Sequence, residues 1–163
     1  MPMRKSLAEL GCTVANGVEL FGDRWSLMIL RDAFLGVRRF DEFRRDLGIS
    51  RNILSERLDR LVEAGILETR RYEDHPPRHE YVLGEKGRDL LDVLLALWRW
   101  GDRWDPVPAE RRRRLIHRDC GEATHGVVVC THCGGELERR NLRIDPLPPV
   151  VAERLASSQS RDV

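Results

Sequence analysis

Two amphipathic stretches meet at Leu47-Gly48-Ile49-Ser50, and this junction constrains the chain more than any other part of it. Gly48 can take the positive φ that stops a helix, and the Ser50 hydroxyl can accept from the free amides that open the next one. After Ser50, Leu54, Leu58, Leu61 and Val62 recur on one helical stripe, while Asn52, Ser55, Glu56, Asp59 and Glu63 point away. Gly65 ends the run. The spacing predicts a first helix capped by Asp41, a tight turn, and a second helix with a polar outer face, the arrangement that offers its second helix to the DNA major groove. The same pattern also forms ordinary corners in helical domains, so the flanking segments have to separate the two readings.

Downstream the period shortens. Ile66–Tyr72 and His79–Leu83 read as two short strands, with a loop over Glu73–Arg78 because its two prolines cannot continue a ladder. A hairpin directly after a helix-turn-helix describes a wing, and Arg70, Arg71 and Arg78, with His79 beside them, suit phosphate or minor-groove contact. A solvated hairpin kept soluble by its arginines is the alternative. Upstream, Ser6–Phe21 reads as a helix broken at Gly11 and Gly17, and Asp23 caps a largely apolar helix over Arg24–Phe34 that Gly36 ends. After the wing, Gly84 and Gly87 bracket the start of one long helix, Lys86 to Trp104. Leu90, Leu91, Leu94, Leu97, Trp98, Gly101 and Trp104 share a stripe there, but Val93, Leu95 and Trp100 spill onto other faces. One core cannot cover them all, which predicts a homodimer; packing beneath the C-terminal segment is the other way to cover them. The expected fold is mainly α with a small β-hairpin wing.

Composition sets limits on partners. At 163 residues the chain suits one core domain and an extension. Its net charge of +1 provides no attraction of the whole chain for nucleic acid, so DNA contact would rely on local pairs such as Arg38-Arg39, Arg44-Arg45 and Arg70-Arg71. There is no run of 18 apolar residues, and MPMRKSLAELG lacks the apolar region of a signal peptide, so a cytoplasmic protein with no membrane partner is expected. One early and three late cysteines do not resemble a disulfide framework and suggest metal or redox chemistry.

From Cys12 to Trp104 the chain resembles the HxlR-type winged-helix transcriptional regulators of the MarR-like superfamily. The matching residues are Cys12, Gly22-Asp23-Arg24-Trp25, Leu27-Met28-Ile29-Leu30-Arg31, Arg39-Phe40-Asp41-Glu42-Phe43, Gly48-Ile49-Ser50 and Leu54-Ser55-Glu56-Arg57-Leu58. They continue with Leu61, Gly65-Ile66-Leu67, Arg70, Tyr72, Pro76-Pro77-Arg78, Glu80-Tyr81-Val82-Leu83 and Lys86-Gly87. The resemblance implies a dimeric DNA-binding regulator, not an enzyme, whose N-terminal and post-wing helices form the dimer interface. It departs at Gly84, where the family usually has threonine. It also makes Cys12 a candidate redox-sensing thiol, the alternative being a small residue buried in the interface.

The expected domains are 6–105, the winged-helix DNA-binding and dimerisation domain; 106–140, a zinc-ribbon-like extension; and 141–163, a tail of loop or disorder. The extension opens with the basic segment Arg111–Arg114, expected to wrap around a short helix as a solvated face or to touch flanking DNA. His117-Arg118-Asp119-Cys120-Gly121 and Cys130-Thr131-His132-Cys133-Gly134 each set two metal-competent side chains in a turn closed by glycine. With Gly126–Val129 read as a strand between them, His117, Cys120, Cys130 and Cys133 are the candidate ligands of a structural zinc, with His125 and His132 as substitutes. Cysteines acting as ordinary small residues, or a metal-free Cys130/Cys133 redox pair, are the alternatives.

Together these features predict a sequence-specific regulator, a repressor that binds double-stranded DNA at a palindromic site, with an unknown small-molecule or oxidant effector. Ser50, Arg51, Asn52 and Ser55 would approach bases or nearby phosphates, and Arg70, Arg71 and Arg78 would serve the wing. The competing classes are a thiol-based redox protein using Cys130 and Cys133, and a protein-interaction adapter.

Overall fold

The structure, a computed structural model, describes residues 7–75, 77–104, 107–146 and 149. It divides into two compact units, Met1–Gly126 and Val127–Val163. Pro76 and Pro106, the expected loop and linker prolines, and most of the 141–163 tail lie outside the described residues.

Local signals set most of the helix ends. A 3-10 turn, Leu7–Leu10, and α1, Thr13–Phe21, are separated at Gly11, whose φ is +57. Gly17 does not interrupt α1, contrary to the sequence expectation, because one glycine costs a helix only about 1 kcal/mol. Asp23 caps α2, Arg24–Phe34, its Oδ1 accepting from the amides of Trp25 at 3.0 Å and Ser26 at 3.1 Å. The next helix, α3, spans Phe40–Leu47, so it begins before the expected Asp41 cap. Glu42 replaces that cap: its carboxylate reaches back to the Arg39 amide at 3.1 Å, and this hydrogen bond holds its pKa below the usual carboxylate range. Gly48, at φ +61, ends α3, and Ser50 Oγ accepts from the Ile53 amide at 3.4 Å to open α4, Arg51–Glu63.

The core lies inside this helical triangle. Ile29 and Leu30 of α2, Phe43 of α3, and Leu54, Leu58 and Leu61 of α4 are fully excluded from solvent, joined by Ile49, Ile66 and Leu67. Arg31 fastens α2 to α3, its guanidinium meeting Asp32 Oδ1 at 2.5 Å and Asp46 Oδ2 at 2.9 Å.

β1, Leu67–Asp74, and β2, Pro77–Leu83, pair antiparallel from Leu67 opposite Leu83 to Asp74 opposite Pro77. The strands therefore run further than expected, and Glu73 and Arg78 pair across the ladder instead of lying in the loop. Pro77 is tolerated because it opens a strand, where its missing N–H interrupts no ladder. Register shifts between Arg71 and Glu73, leaving Tyr72 as an extra residue.

The single helix expected over Lys86–Trp104 is two, α5, Glu85–Arg88, and α6, Leu91–Trp104. A Cβ on Gly87 would lie 2.1 Å from the Ile66 carbonyl oxygen, so only glycine allows α5 to sit against the entrance to β1. Beyond α6, β3, Leu115–Ile116, pairs with β4, Ala123–Thr124. Arg112–Arg114 follow a 3-10 turn, Ala109–Arg111, rather than lying on a helix. Gly126–Val129 is not the expected strand; Val129 alone forms a bridge, to Glu136.

Candidate nucleic-acid interface

Capping fixes the start of α4, and burial of Leu54, Leu58 and Leu61 on the inner face leaves its first turn on the outer side. Ser50, Arg51 and Asn52 are exposed and Ser55 is half-buried. Arg51 lies over the Phe40 ring at 5.2 Å and within 3.9 Å of Asp41 Oδ1. Ser55 Oγ points to Asp59 Oδ2 at 3.4 Å. Further along, the outer face carries Glu56, Asp59 and Glu63, all exposed. An anion would be repelled there, so only the N-terminal turn of α4 is suited to approach DNA.

The wing is docked beside α3. The Tyr81 amide donates to the Arg38 carbonyl at 2.7 Å, the Phe43 and Tyr81 rings meet edge to face at 6.4 Å, and the Arg39 guanidinium lies 4.7 Å over the Tyr72 ring. Burial, aided by the Asp59 charge, pushes the Tyr81 phenol above its ordinary pKa. A cleft of about 580 Å³ between α3 and the wing is lined in part by Arg39, Arg45, Arg78 and His79, with Asp41 and Glu42 among them.

The three wing arginines are not equivalent. Arg71 is engaged within the hairpin, its Nε 3.0 Å from Asp74 Oδ1 and its Nη2 donating to the Asp74 carbonyl at 3.0 Å. Arg78 lies 3.3 Å from Glu73 Oε2. Arg70 is exposed and makes no ion pair among the described residues. Sequence reasoning had grouped them because spacing does not reveal which guanidinium has an internal carboxylate. It also left Arg57 and Arg60 without roles, although their helical positions beside the leucine stripe could have signalled contact with a neighbouring helix.

Cys12 is exposed at the N-cap of α1, where its carbonyl accepts from the Asn16 amide at 3.0 Å. The extension's two donor pairs fall in different units. In the first, the Gly121 amide donates to the His117 carbonyl at 2.8 Å, the His117 amide donates to the Glu122 carbonyl at 3.0 Å, and His117 Nδ1 lies 3.3 Å from Cys120 Sγ. In the second, Gly134 donates to the Cys130 carbonyl at 2.8 Å and Cys130 to the Gly135 carbonyl at 2.8 Å. The Cys133 and His132 amides, in that order, hold the Cys130 thiol below its ordinary pKa. Gly121 and Gly134 both adopt positive φ, +75 and +73. The two turns thus share one hydrogen-bond pattern. Among the described residues, no three His, Cys, Asp or Glu side chains are gathered as a metal-holding group. His125 and His132 are both exposed.

A helix-turn-helix followed by a docked hairpin defines the winged-helix class of DNA-binding proteins. Residues 20–108 match the model of the HxlR-like helix-turn-helix family, and the chain belongs to that family. It is 47% identical over 148 residues to the uncharacterized HTH-type transcriptional regulator Rv3095 of Mycobacterium tuberculosis, an alignment covering 91% of this chain and 93% of that protein. The crystal structure of PA1607 superposes with a TM-score of 0.77 at 36% identity, covering 88% of this chain and all of that one. The redox regulator HypR in its oxidized form superposes with a TM-score of 0.54 at 32% identity, over 59% of this chain and 100% of that one. The protein is therefore a transcriptional regulator of the HxlR type, a family for which DNA is the implied partner. Among the described residues no helix is long and apolar enough to cross a membrane.

Proposed function

We propose that the protein represses transcription by binding a palindromic operator as a homodimer, with the first turn of α4 reading base edges and the wing contacting the flanking backbone. The observation that carries this reading is the outward-facing turn Ser50-Arg51-Asn52, beside a wing whose Arg70 makes no ion pair among the described residues. Asn52 is the base-reading residue, since an amide can pair with both hydrogen-bonding positions of adenine. Arg51 and the hydroxyls of Ser50 and Ser55 serve phosphates at the groove edge. Arg70 serves the backbone directly; Arg71 and Arg78 would first have to leave their carboxylates.

Dimerisation is supported by α6. Val93, Leu97, Trp100 and Trp104 recur at intervals of four, three and four residues and are 38%, 48%, 60% and 65% exposed. That is the spacing of a helix-pairing seam, and water is a poor partner for two tryptophans. Cys12, exposed at the start of α1, is the proposed oxidant-sensing thiol, a reading supported by the likeness to a regulator named for redox control. Zinc is the proposed ligand of His117, Cys120, Cys130 and Cys133, with His125 and His132 as substitutes; it is supported by the thiolate and imidazole donors and by the matched turns.

The decisive experiment measures binding to duplex fragments from upstream of the protein's own gene, across salt concentrations, for wild type and Asn52→Ala. The expected outcome is a salt-dependent, sequence-selective complex in which Asn52→Ala loses discrimination at one base pair per half-site, by about 1–3 kcal/mol. Sequence-indifferent binding by the wild type would overturn the operator reading, and full preference in Asn52→Ala would overturn the placement of α4.

A further inference from the structure

The flank of α4 beside its buried leucines carries two arginines one turn apart, both directed at the corner between α1 and α2. The corner itself is tight. The Gly22 amide closes α1 on the Val18 carbonyl at 2.9 Å, and a Cβ on Gly22 would lie 2.6 Å from that oxygen and 2.9 Å from Val18 Cα. One residue later Asp23 opens α2. A helix ending leaves carbonyls without intrahelical donors, and a helix beginning gathers negative charge at its cap. Arg60 of α4 addresses the first requirement: its Nη2 donates to the carbonyl of Glu19 in the last turn of α1. Arg57 addresses the second through charge: its Nε lies 3.4 Å from Asp23 Oδ1 without forming a hydrogen bond, its side chain is only 21% exposed, and its Nη1 donates to Glu56 Oε1 at 3.2 Å. Burial pulls the Asp23 carboxyl upward, but the Ser26 hydroxyl and amide, together with Arg57, outweigh it and hold the pKa below the usual range. The Glu19 carboxylate in turn accepts from the Leu7 amide at 3.2 Å, tying the N-terminal turn to the same corner.

Leucine packing alone permits small rotations of a helix, whereas a guanidinium hydrogen-bonded to a fixed carbonyl, with a second paired by charge to a fixed carboxylate, resists them. We infer that Arg57 and Arg60 are positioning residues for DNA reading: they set the rotation and height at which α4 presents Ser50, Arg51 and Asn52, without touching DNA themselves. This rests on the reading of α4 as the recognition helix. It also gives Asp23 a task beyond capping, since the same carboxylate that starts α2 holds the recognition helix through Arg57.

The test compares Arg60→Ala, Arg57→Ala and the conservative Arg60→Lys and Arg57→Lys with wild type and with Arg70→Ala, below the melting midpoint of each protein. Binding to the upstream duplex fragments is measured as a function of salt, and amide hydrogen exchange is followed in free protein. The alanine variants are expected to bind about tenfold more weakly, as if one good base contact had been lost, with the salt slope unchanged. Arg70→Ala should instead lower that slope by about 1. The lysine variants should recover affinity, because an ammonium can reach the same oxygens. A lowered slope in Arg60→Ala would mean that this residue touches phosphate, and unchanged affinity with a lower midpoint would make the pair merely structural; either overturns the inference. Should wild type bind none of the fragments, the operator reading fails separately, and exchange still decides: protection of the α4 amides must fall in Arg60→Ala while that of α2 is retained, and equal protection overturns the positioning role.

Discussion

Asp23 and Asp32 stand at opposite ends of α2 and respond to pH in opposite directions. Asp23 is held below its ordinary pKa despite burial, so its ionised form stabilises the fold. That contribution is complete above the unfolded value of about 3.8 and is lost as pH falls through the lower folded value. Asp32 is fully buried, with Oδ2 unpartnered, and burial raises its pKa despite Arg31. Its ionised form therefore costs stability, which declines as pH rises from the unfolded toward the folded value. Asp23→Asn keeps a cap but loses the charge facing Arg57. Its thermal midpoint should lie below that of wild type at pH 7, and the gap should close as pH drops below about 4; a constant gap down to pH 3 would show that the charge is irrelevant. Sequence placed Asp23 correctly as a cap because capping is local. It did not reveal Arg57 as partner, which is 34 positions away and meets Asp23 only when α4 packs on the corner.

Within the wing, the arginines divide by partner. Arg70→Ala should leave stability within about 0.5 kcal/mol, as expected of an exposed side chain, and reduce the salt slope of DNA binding by about 1. Arg71→Ala removes the brace to Asp74 at the hairpin tip. It should increase hydrogen exchange at the tip while changing the slope less than Arg70→Ala does. Comparing exchange and slope for the two variants checks the division, and identical behaviour would refute it. The strand alternation made the hairpin legible from residues 66–83, but its length was underestimated because two prolines suggested a loop. Only Asp74 opposite Pro77 shows that the second proline starts a strand.

For the whole molecule, the proposed dimer rests on the exposed apolar face of α6. Trp100→Glu places a charge in the exposed seam and should shift the mass in solution from dimer to monomer. Operator affinity should fall about a hundredfold or more, because a single half-site loses its avidity. A dimeric Trp100→Glu protein would move the interface elsewhere. For the extension, zinc should purify with the chain at about one atom each, and chelation should destabilise residues 115–137 more than the winged helix; less than about a tenth of an atom would end the metal proposal.

Composition and spacing determined what depends on neighbours in sequence: the turn at Gly48, the caps at Asp23 and Ser50, the existence of a wing, and the surplus of apolar surface after it. Those outcomes are set by backbone torsion, by hydrogen bonds a few residues long, and by period. Tertiary structure decided the remainder. It split the post-wing helix between Arg88 and Leu91, set Gly87 against the Ile66 carbonyl, and put Val93, Leu97, Trp100 and Trp104 together on the exposed side of α6. It also left Arg70 without an ion pair among the described residues while occupying Arg71 and Arg78, and brought Arg57 and Arg60 to the corner of α1 and α2. Each of these depends on which distant backbone or carboxylate a side chain meets, and one-dimensional spacing carries no record of that.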